Sequence, residues 1–409
     1  MIIRDYRADL DRSDAVRIFC EVGWITSPDH ERALDALIEG GRTMIAEVSG
    51  SAECLVTADP GTLRYLDHDL PLSAITGVTT SRIARKQGLA GRLTARLLGE
   101  EAQEGNLVAM LGVFEQGYYN RLGFGNGSYD CWCRFDPGQL KVAKKPRIPA
   151  RLTPTDWEAM HASRLRRIRN HGSCSLLSPQ LTYADILWSE NGFGLGYYEE
   201  DGRLTHHIWC STKETEYGPY SVQWMSYRTK DEFLELLGLL HSLEDQVRSI
   251  KMTEPPGIQL QDLLDKPFKV HQITEGSSFE SRISASAVWQ ARILDLPGCV
   301  KETVLDAESV RFNLSLADPI ERFLDEETPW RGIGGDYVVT FGQESRAEPG
   351  TARELPTLHA SVNAFTRMWL GVRSASGLAW TDDLAGPTDL LTRLDRTLRL
   401  PVPHLDWMF

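Results

Sequence analysis

The sequence predicts an α/β chain closed by an α+β unit, and three observations carry that expectation. Roughly the first 135 residues alternate helical and strand periods. A strand–helix–strand order returns between residues 193 and 252. From about residue 287 onward strands dominate and helices flank them. With 409 residues, the chain exceeds one ordinary core, since a domain takes roughly 100–200 residues. Three units are expected: 1–145, 146–285 and 286–409.

In the first unit, residues 2–7 read as a strand and 9–22 and 28–39 as helices. The second helix has proline in its first turn, where a missing N–H costs nothing. Residues 42–48, 52–57 and 63–66 are expected as successive strands, with turns at Ser49-Gly50 and Pro60-Gly61. The mostly apolar stretch 72–80 is expected at the centre of the sheet. A helix over 88–104 follows, with Leu89, Leu93, Leu97 and Leu98 at helical spacing. Strands are expected at 107–113 and 128–135. The stretch 141–149, basic and proline-bearing without periodicity, reads as a linker.

In the second unit, strands at 193–199 and 204–211 flank Glu200-Asp201-Gly202, a hairpin signal. A strand at 220–227, an amphipathic helix at 230–248 and a strand at 249–252 repeat the order of the first unit. In the third, strands are expected at 288–295, 310–317, 337–341 and 358–362. Short helices are expected after Pro297 and around 365–371, with a longer one at 388–399.

Composition narrows the function. Hydrophobic residues make up 42% and charged residues 25%, as in soluble globular proteins. The net charge of −13, from 44 basic and 57 acidic residues, argues against nucleic acid or anionic lipid as partner and suits cationic amines. No apolar signal segment opens the chain, and no apolar run approaches the ~18 residues of a membrane span. A cytoplasmic protein without a membrane partner is expected. The seven cysteines are scattered and odd in number, so no disulfide framework is expected. Cys131 and Cys133 share one strand face, but no second pair accompanies them. They, His206-His207 and Asp67-His68-Asp69 are too sparse for a metal site, and none is expected.

Two segments carry chemistry. The first is Val78-Thr79-Thr80 followed by Arg85-Lys86-Gln87-Gly88-Leu89-Ala90-Gly91. A strand running through a glycine-containing turn into a helix presents main-chain N–H groups to an anion, and the helix dipole favours it. Arg85, Lys86 and Arg92 add positive charge. Read without context, this is an ordinary strand–loop–helix. The second segment is Tyr118-Tyr119-Asn120-Arg121-Leu122-Gly123-Phe124, a short helix stopped by glycine. A phenol there can donate a proton to a leaving thiolate; the plainer reading is core packing.

Together these segments resemble the GNAT superfamily of N-acetyltransferases, and the whole chain resembles its Eis (enhanced intracellular survival) branch. That resemblance implies two GNAT-like mixed-sheet domains, the second degenerate, then a sterol-carrier-protein-like domain. Arg292-Ile293-Leu294-Asp295 and the run from Phe312 to Pro319 look like that third domain. It implies acetyl-CoA as donor, an aminoglycoside-like or lysine-type amine as acceptor, and a homo-oligomer, a hexamer in that family. Val78, Thr79 and Thr80 fall where family backbone holds pantetheine. Arg85, Lys86, Gln87, Gly88, Leu89, Ala90 and Gly91 fall on the pyrophosphate loop. Tyr119 falls on the general acid, and Phe409 on the terminal residue whose α-carboxylate acts as base. A free α-carboxyl, with a pKa of about 3.3–3.7, is ionised at neutral pH. Trp24 is a candidate wall of the acceptor pocket, and Asp406, the acid nearest the terminus since Met408 is penultimate, is a candidate for binding the substrate. The loop holds less arginine than is usual in the family. The alternative is a lipid or apolar-ligand binding protein with a vestigial GNAT site.

Overall fold

The computed structural model describes residues 2–115, 117–266 and 275–409. Its first sheet starts with β1 (Ile2–Asp5), β2 (Arg42–Val48), β3 (Ser51–Tyr65), β4 (His68–Thr80) and β5 (Val108–Gly112), hydrogen-bonded in that order. All neighbours are antiparallel except β4 and β5, which run parallel. Helix α1 (Ala8–Glu21) precedes α2 (Pro28–Gly40), and α3 (Leu89–Gln103) follows β4. Ser27 caps α2 by accepting the His30 N–H, with proline at its first position as expected.

β3 departs from the expected pair of strands. Pro60 and Gly61 stand inside one long ladder, opposite Ser73 and Leu72. The Pro60 carbonyl accepts the Leu177 N–H at 2.8 Å, and a Cβ on Gly61 would come within 2.9 Å of the Ser175 carbonyl. A dipeptide that usually spells a turn here admits a close strand, Cys174–Leu176, against β3.

Sheet membership does not follow chain order. The outer edge of β5 pairs with Trp289–Ile293, a strand expected in the last unit, and Gly125–Asn126 pairs beyond it. All five residues of Trp289–Ile293 are buried, so this strand seals an apolar edge that β5 would otherwise expose. Asp130–Phe135, expected with the first unit, instead lies between Arg282–Ser286 and Ile250–Thr253 in the second sheet.

That sheet continues through Tyr220–Ser226, Leu204–Ser211, Phe193–Tyr198 and Ala150–Leu152. The expected hairpin forms between Phe193–Tyr198 and Leu204–Ser211. The helix between the parallel strands Tyr220–Ser226 and Ile250–Thr253 stops at His241, short of the expected 248. There the ladder tightens into three-residue turns, with Leu243 donating to Leu240 and Glu244 to His241. Its first turn carries Asp231 and Glu232, charges that repel phosphate.

The third sheet runs Arg346–Pro349, Gly335–Phe341, Val310–Ala317, Thr357–Ser361, Leu384–Ala385. Phe312, Phe341, Phe365 and Trp369 are fully buried on it. One apolar cluster extends from Phe19 and Leu34 through Trp289 to Trp369 and Trp407, joining the first and third sheets through a shared core. Among the described residues, no helix is long and apolar enough to cross a membrane, and no group of three or more His, Cys, Asp or Glu could hold a metal ion.

Candidate active site

The site begins where β4 and β5 part. Their pairing runs from Leu72 opposite Val108 to Ile75 opposite Leu111. Beyond it β4 follows β3, through a bulge in which Gly77 and Val78 have no partner before register resumes at Thr79 opposite Leu55. Gly77 has φ 60, a left-handed conformation that costs glycine little. β5 turns the other way: Gly112 pairs with Trp289, and the Val113 N–H donates to the Val288 carbonyl at 2.8 Å. A wedge opens between two parallel strands, a place for a ligand's amides to pair as an added strand. Thr79 is buried, with Val78 and Thr80 half-buried beside it. The Thr79 hydroxyl donates to the Gly77 carbonyl at 3.3 Å and the Thr80 hydroxyl to the Cys54 sulfur at 3.4 Å.

Lys86 (φ 62) and Gly88 (φ 78) are left-handed, and this turns the chain sharply into α3. Arg85, Lys86, Gln87, Gly88 and Arg92 are exposed, while Leu89 is buried and Ala90 half-buried against the sheet. Arg85, Lys86 and Arg92 carry no ion pair among the described residues. The Gln87 amide donates to the Ile83 carbonyl at 3.2 Å. Nothing lies within 4 Å of a Cβ built on Gly88. Open space, orphan first-turn N–H groups, the helix dipole and three unneutralised cations fit a pyrophosphate such as that of acetyl-CoA. Gly91 serves differently. It is buried, and a Cβ there would stand 3.3 Å from the Phe323 ring and 3.6 Å from the Tyr118 hydroxyl, so its smallness admits packing.

Tyr119–Leu122 forms one tight helical turn that ends at Gly123. Tyr119 is 7% exposed. Its ring lies edge-on to Tyr118 at 4.9 Å and to Phe124 at 6.2 Å. Burial pushes the Tyr119 phenol well above its usual range, and Tyr118 up to about 12, so both stay protonated donors at neutral pH. Distant residues hold this turn. The Arg292 guanidinium donates to the Leu122 carbonyl and pairs with Asp318 at 2.8 Å, both side chains being almost wholly buried. Gln290 donates to Asn120 Oδ1 at 3.1 Å. The Asn363 amide donates to the Asn120 and Phe124 carbonyls at 2.9 and 2.7 Å. Sequence reasoning missed this role; the available signal was an arginine inside an apolar strand, which demands a buried partner.

The tail is threaded through the molecule. The Ser128 hydroxyl donates to the Pro403 carbonyl, and the His404 N–H donates to the His171 carbonyl at 3.0 Å. Trp407 is 1% exposed, with the Arg164 guanidinium 3.5 Å from its ring centroid. Arg167 grips both carboxylate oxygens of Asp406, at 2.9 and 2.7 Å. Asp406, a candidate for binding the substrate, anchors the tail in this way, because a nearly buried carboxylate needs its cation. Phe409 ends beside β5: a Cβ on Gly112 would meet its main-chain oxygen at 2.7 Å.

Trp24 lies in the connection between α1 and α2 rather than in a helix, edge-on to Phe19 at 5.3 Å and to Phe114 at 6.5 Å. With Phe19, Leu37 and Trp188 it walls a cavity of about 310 Å³ whose floor is Thr76 and Gly77. Trp24 and the β4 bulge thus share one pocket, and Gly112 and Phe409 meet at the end of β5, where that strand parts from β4.

Residues 5–127 match the acetyltransferase (GNAT) domain family. The N-terminal region is therefore a GNAT acetyltransferase domain, a family for which acetyl-CoA is the implied donor. No curated protein matches the sequence. Along its whole length the chain has the fold of Eis1 from Mycobacterium abscessus, with TM-score 0.75, 16% identity and 100% of each chain covered. A probable N-acyltransferase of unknown function from Enterococcus faecalis V583 aligns with TM-score 0.80 and 17% identity, covering 100% of this chain and 99% of that one. A GCN5-related N-acetyltransferase from Anabaena variabilis aligns with TM-score 0.75 and 12% identity over 100% of both chains.

Proposed function

We propose that the protein transfers acetyl from acetyl-CoA directly to an amine, as an Eis-type enzyme whose C-terminus works in its own active site. The observation that carries this reading is the Phe409 main-chain oxygen beside Gly112, where β4 and β5 part. Acetyl-CoA supplies an activated acetyl thioester. Gly88, Leu89 and Ala90 offer main-chain N–H groups for its pyrophosphate, with Arg85 and Lys86 as counter-charges. Val78, Thr79 and Thr80 offer the strand edge for its pantetheine arm. The Phe409 carboxylate attracts the acceptor's ammonium and takes its proton, directly or through water. Tyr119, kept protonated by burial, donates to the departing sulfur. The acceptor is an aminoglycoside-like or lysine-type amine, and the working form is a homo-oligomer, hexameric by resemblance.

The alternative, a lipid carrier with an idle GNAT site, is disfavoured by the third sheet. Phe312, Phe341 and Phe365 pack against one another in its buried core, and Trp369 stacks on Tyr65. The test is release of free thiol from acetyl-CoA across a panel of amines. Intact protein, a variant lacking Phe409 and Tyr119→Phe are compared. Turnover lost in both variants with acetyl-CoA binding retained is expected. Turnover indifferent to Phe409 would remove the terminal base from the mechanism.

A further inference from the structure

The second sheet carries a row of like charges. Arg282 stands directly opposite Arg134, and Arg134 directly opposite Lys251, on the neighbouring strands Arg282–Ser286, Asp130–Phe135 and Ile250–Thr253. Residues paired in this way point to the same face of a sheet. Cys133, Phe135, Ile250 and Met252, at the alternate positions, fill the buried core on the other face. The three cations therefore share the face away from that core. The Lys251 Nζ lies 4.5 Å from the ring centroid of Trp132, two residues before Arg134 and on the same face. Ser221 continues the row, opposite Lys251 across the parallel pair.

Like charges directly opposite one another destabilise a sheet, and strands about 4.8 Å apart leave them little room to separate. Among the described residues none of the three side chains has an ion pair. The Arg134 Nε is buried without a hydrogen-bond partner. Glu280 offsets part of the charge on Arg134, but its carboxylate already accepts the Gly276 N–H at 2.7 Å. Burial, Arg134 and Arg282 together hold the Lys251 ammonium below its usual range, a shift that an anion beside it would reverse. In a chain with 57 acidic residues against 44 basic ones, three adjacent cations without an acid run against composition.

A guanidinium is a planar fork that matches phosphate oxygens, and an ammonium adds a point charge. A phosphoryl group carries a charge of about −1.5 to −2 at neutral pH and three acceptor oxygens, enough for two forks and an ammonium. One carboxylate would leave most of the row unneutralised. We propose that Arg282, Arg134 and Lys251 form a binding site for a phosphoryl dianion, either free phosphate or the end of a phosphomonoester, on the face of the second sheet away from its core. The site is separate from the loop before α3 and does not rest on the acetyltransferase reading.

The test uses the full chain carrying Arg85→Ala and Lys86→Ala, so that the loop before α3 does not contribute. Isothermal titration with inorganic phosphate and with phenyl phosphate is compared with acetate and chloride at equal ionic strength. One site with a dissociation constant of about 1 mM or below is expected, with acetate and chloride at least about tenfold weaker. Tighter phenyl phosphate would assign the site to a monoester, and equal affinity to free phosphate. Arg134→Gln and Lys251→Gln should each weaken phosphate about tenfold or more, as for one lost charge-assisted hydrogen bond. Arg282→Gln, on the exposed edge strand, should raise the urea midpoint in the absence of phosphate, because it relieves the repulsion, and shrink the gain that phosphate brings. An excluded salt would stabilise variant and parent alike. That result overturns the proposal, as does phosphate binding untouched by Arg134→Gln, or no binding of either phosphate below about 10 mM.

Discussion

The main-chain oxygen of Phe409 occupies space that a side chain on Gly112 would need, 2.7 Å from the position of its Cβ. The last residue of the chain and the last residue of β5 therefore constrain each other directly. Gly112→Ala is expected to displace the terminus while leaving the sheet intact, because only the free chain end has to move. The expected result is a loss of kcat of about tenfold or more, as for a misplaced reacting group, with an unchanged melting temperature. A variant with full activity would mean that the terminus takes no part in the chemistry.

Tyr119→Phe should lower kcat by about a hundredfold, the lower range for a lost general acid, and leave acetyl-CoA affinity unchanged. Tyr118→Phe, one position away and also deprived of a hydroxyl, serves as the comparison and should cost much less. Since burial raises the Tyr119 phenol above its ordinary range, the alkaline limb of the kcat profile should not fall at the pH of a free tyrosine, near 10.

The loop before α3 offers exposed, unpaired charge. Arg85→Ala and Lys86→Ala should each weaken acetyl-CoA binding by roughly 0.5–1 kcal/mol, as exposed ion pairs do. Added salt should narrow the gap between variant and parent. Isothermal titration at two ionic strengths measures both effects.

Arg167 and Asp406 form the clasp of the tail. Arg167→Ala strands a nearly buried carboxylate and should cost about 3–5 kcal/mol. The double variant Arg167→Met with Asp406→Leu should recover much of that stability. Denaturant titration of the set separates the pair's role in anchoring from any role of Asp406 toward substrate.

Asp130 is 1% exposed, and its carboxylate sits beside the Trp289 indole nitrogen without a well-formed hydrogen bond. Burial pushes it up to about 7, and Asp406 adds to this. Between the ordinary carboxylate range and about pH 7 the folded protein keeps a proton that the unfolded chain has released. Stability therefore falls as pH rises through that window and levels off above it. At about 1.4 kcal/mol per pH decade the full effect is on the order of 4 kcal/mol at most. Asp130→Asn should flatten this slope in urea titrations from pH 4 to 8.

What could be read from sequence was local. Gly88 at the start of α3, Gly123 after Tyr119 and the hairpin around Asp201 and Gly202 each announce a backbone conformation within a few residues. The alternation of strands and helices follows from periodicity, whereas the sheet each strand joins does not. Pro60-Gly61 misleads because turn chemistry and close strand approach use the same two residues. The supports of the Tyr119 turn, Gln290, Arg292 and Asn363, stayed hidden because pairing across such separations leaves no local mark. Gly112 was equally silent: a lone glycine at a strand end says nothing about which atom will occupy the missing side chain's place.

The strand Trp289–Ile293 in the first sheet also sets a timetable for synthesis. A ribosome must deliver more than two thirds of the chain before β5 receives its outer partner. Until then the nascent GNAT region carries an open, apolar edge, the kind that invites pairing with other chains. Such distant pairing also slows folding. Premature termination before residue 289 should therefore yield an aggregating fragment rather than a smaller working enzyme, and expression of the N-terminal region by itself should need that strand supplied in trans.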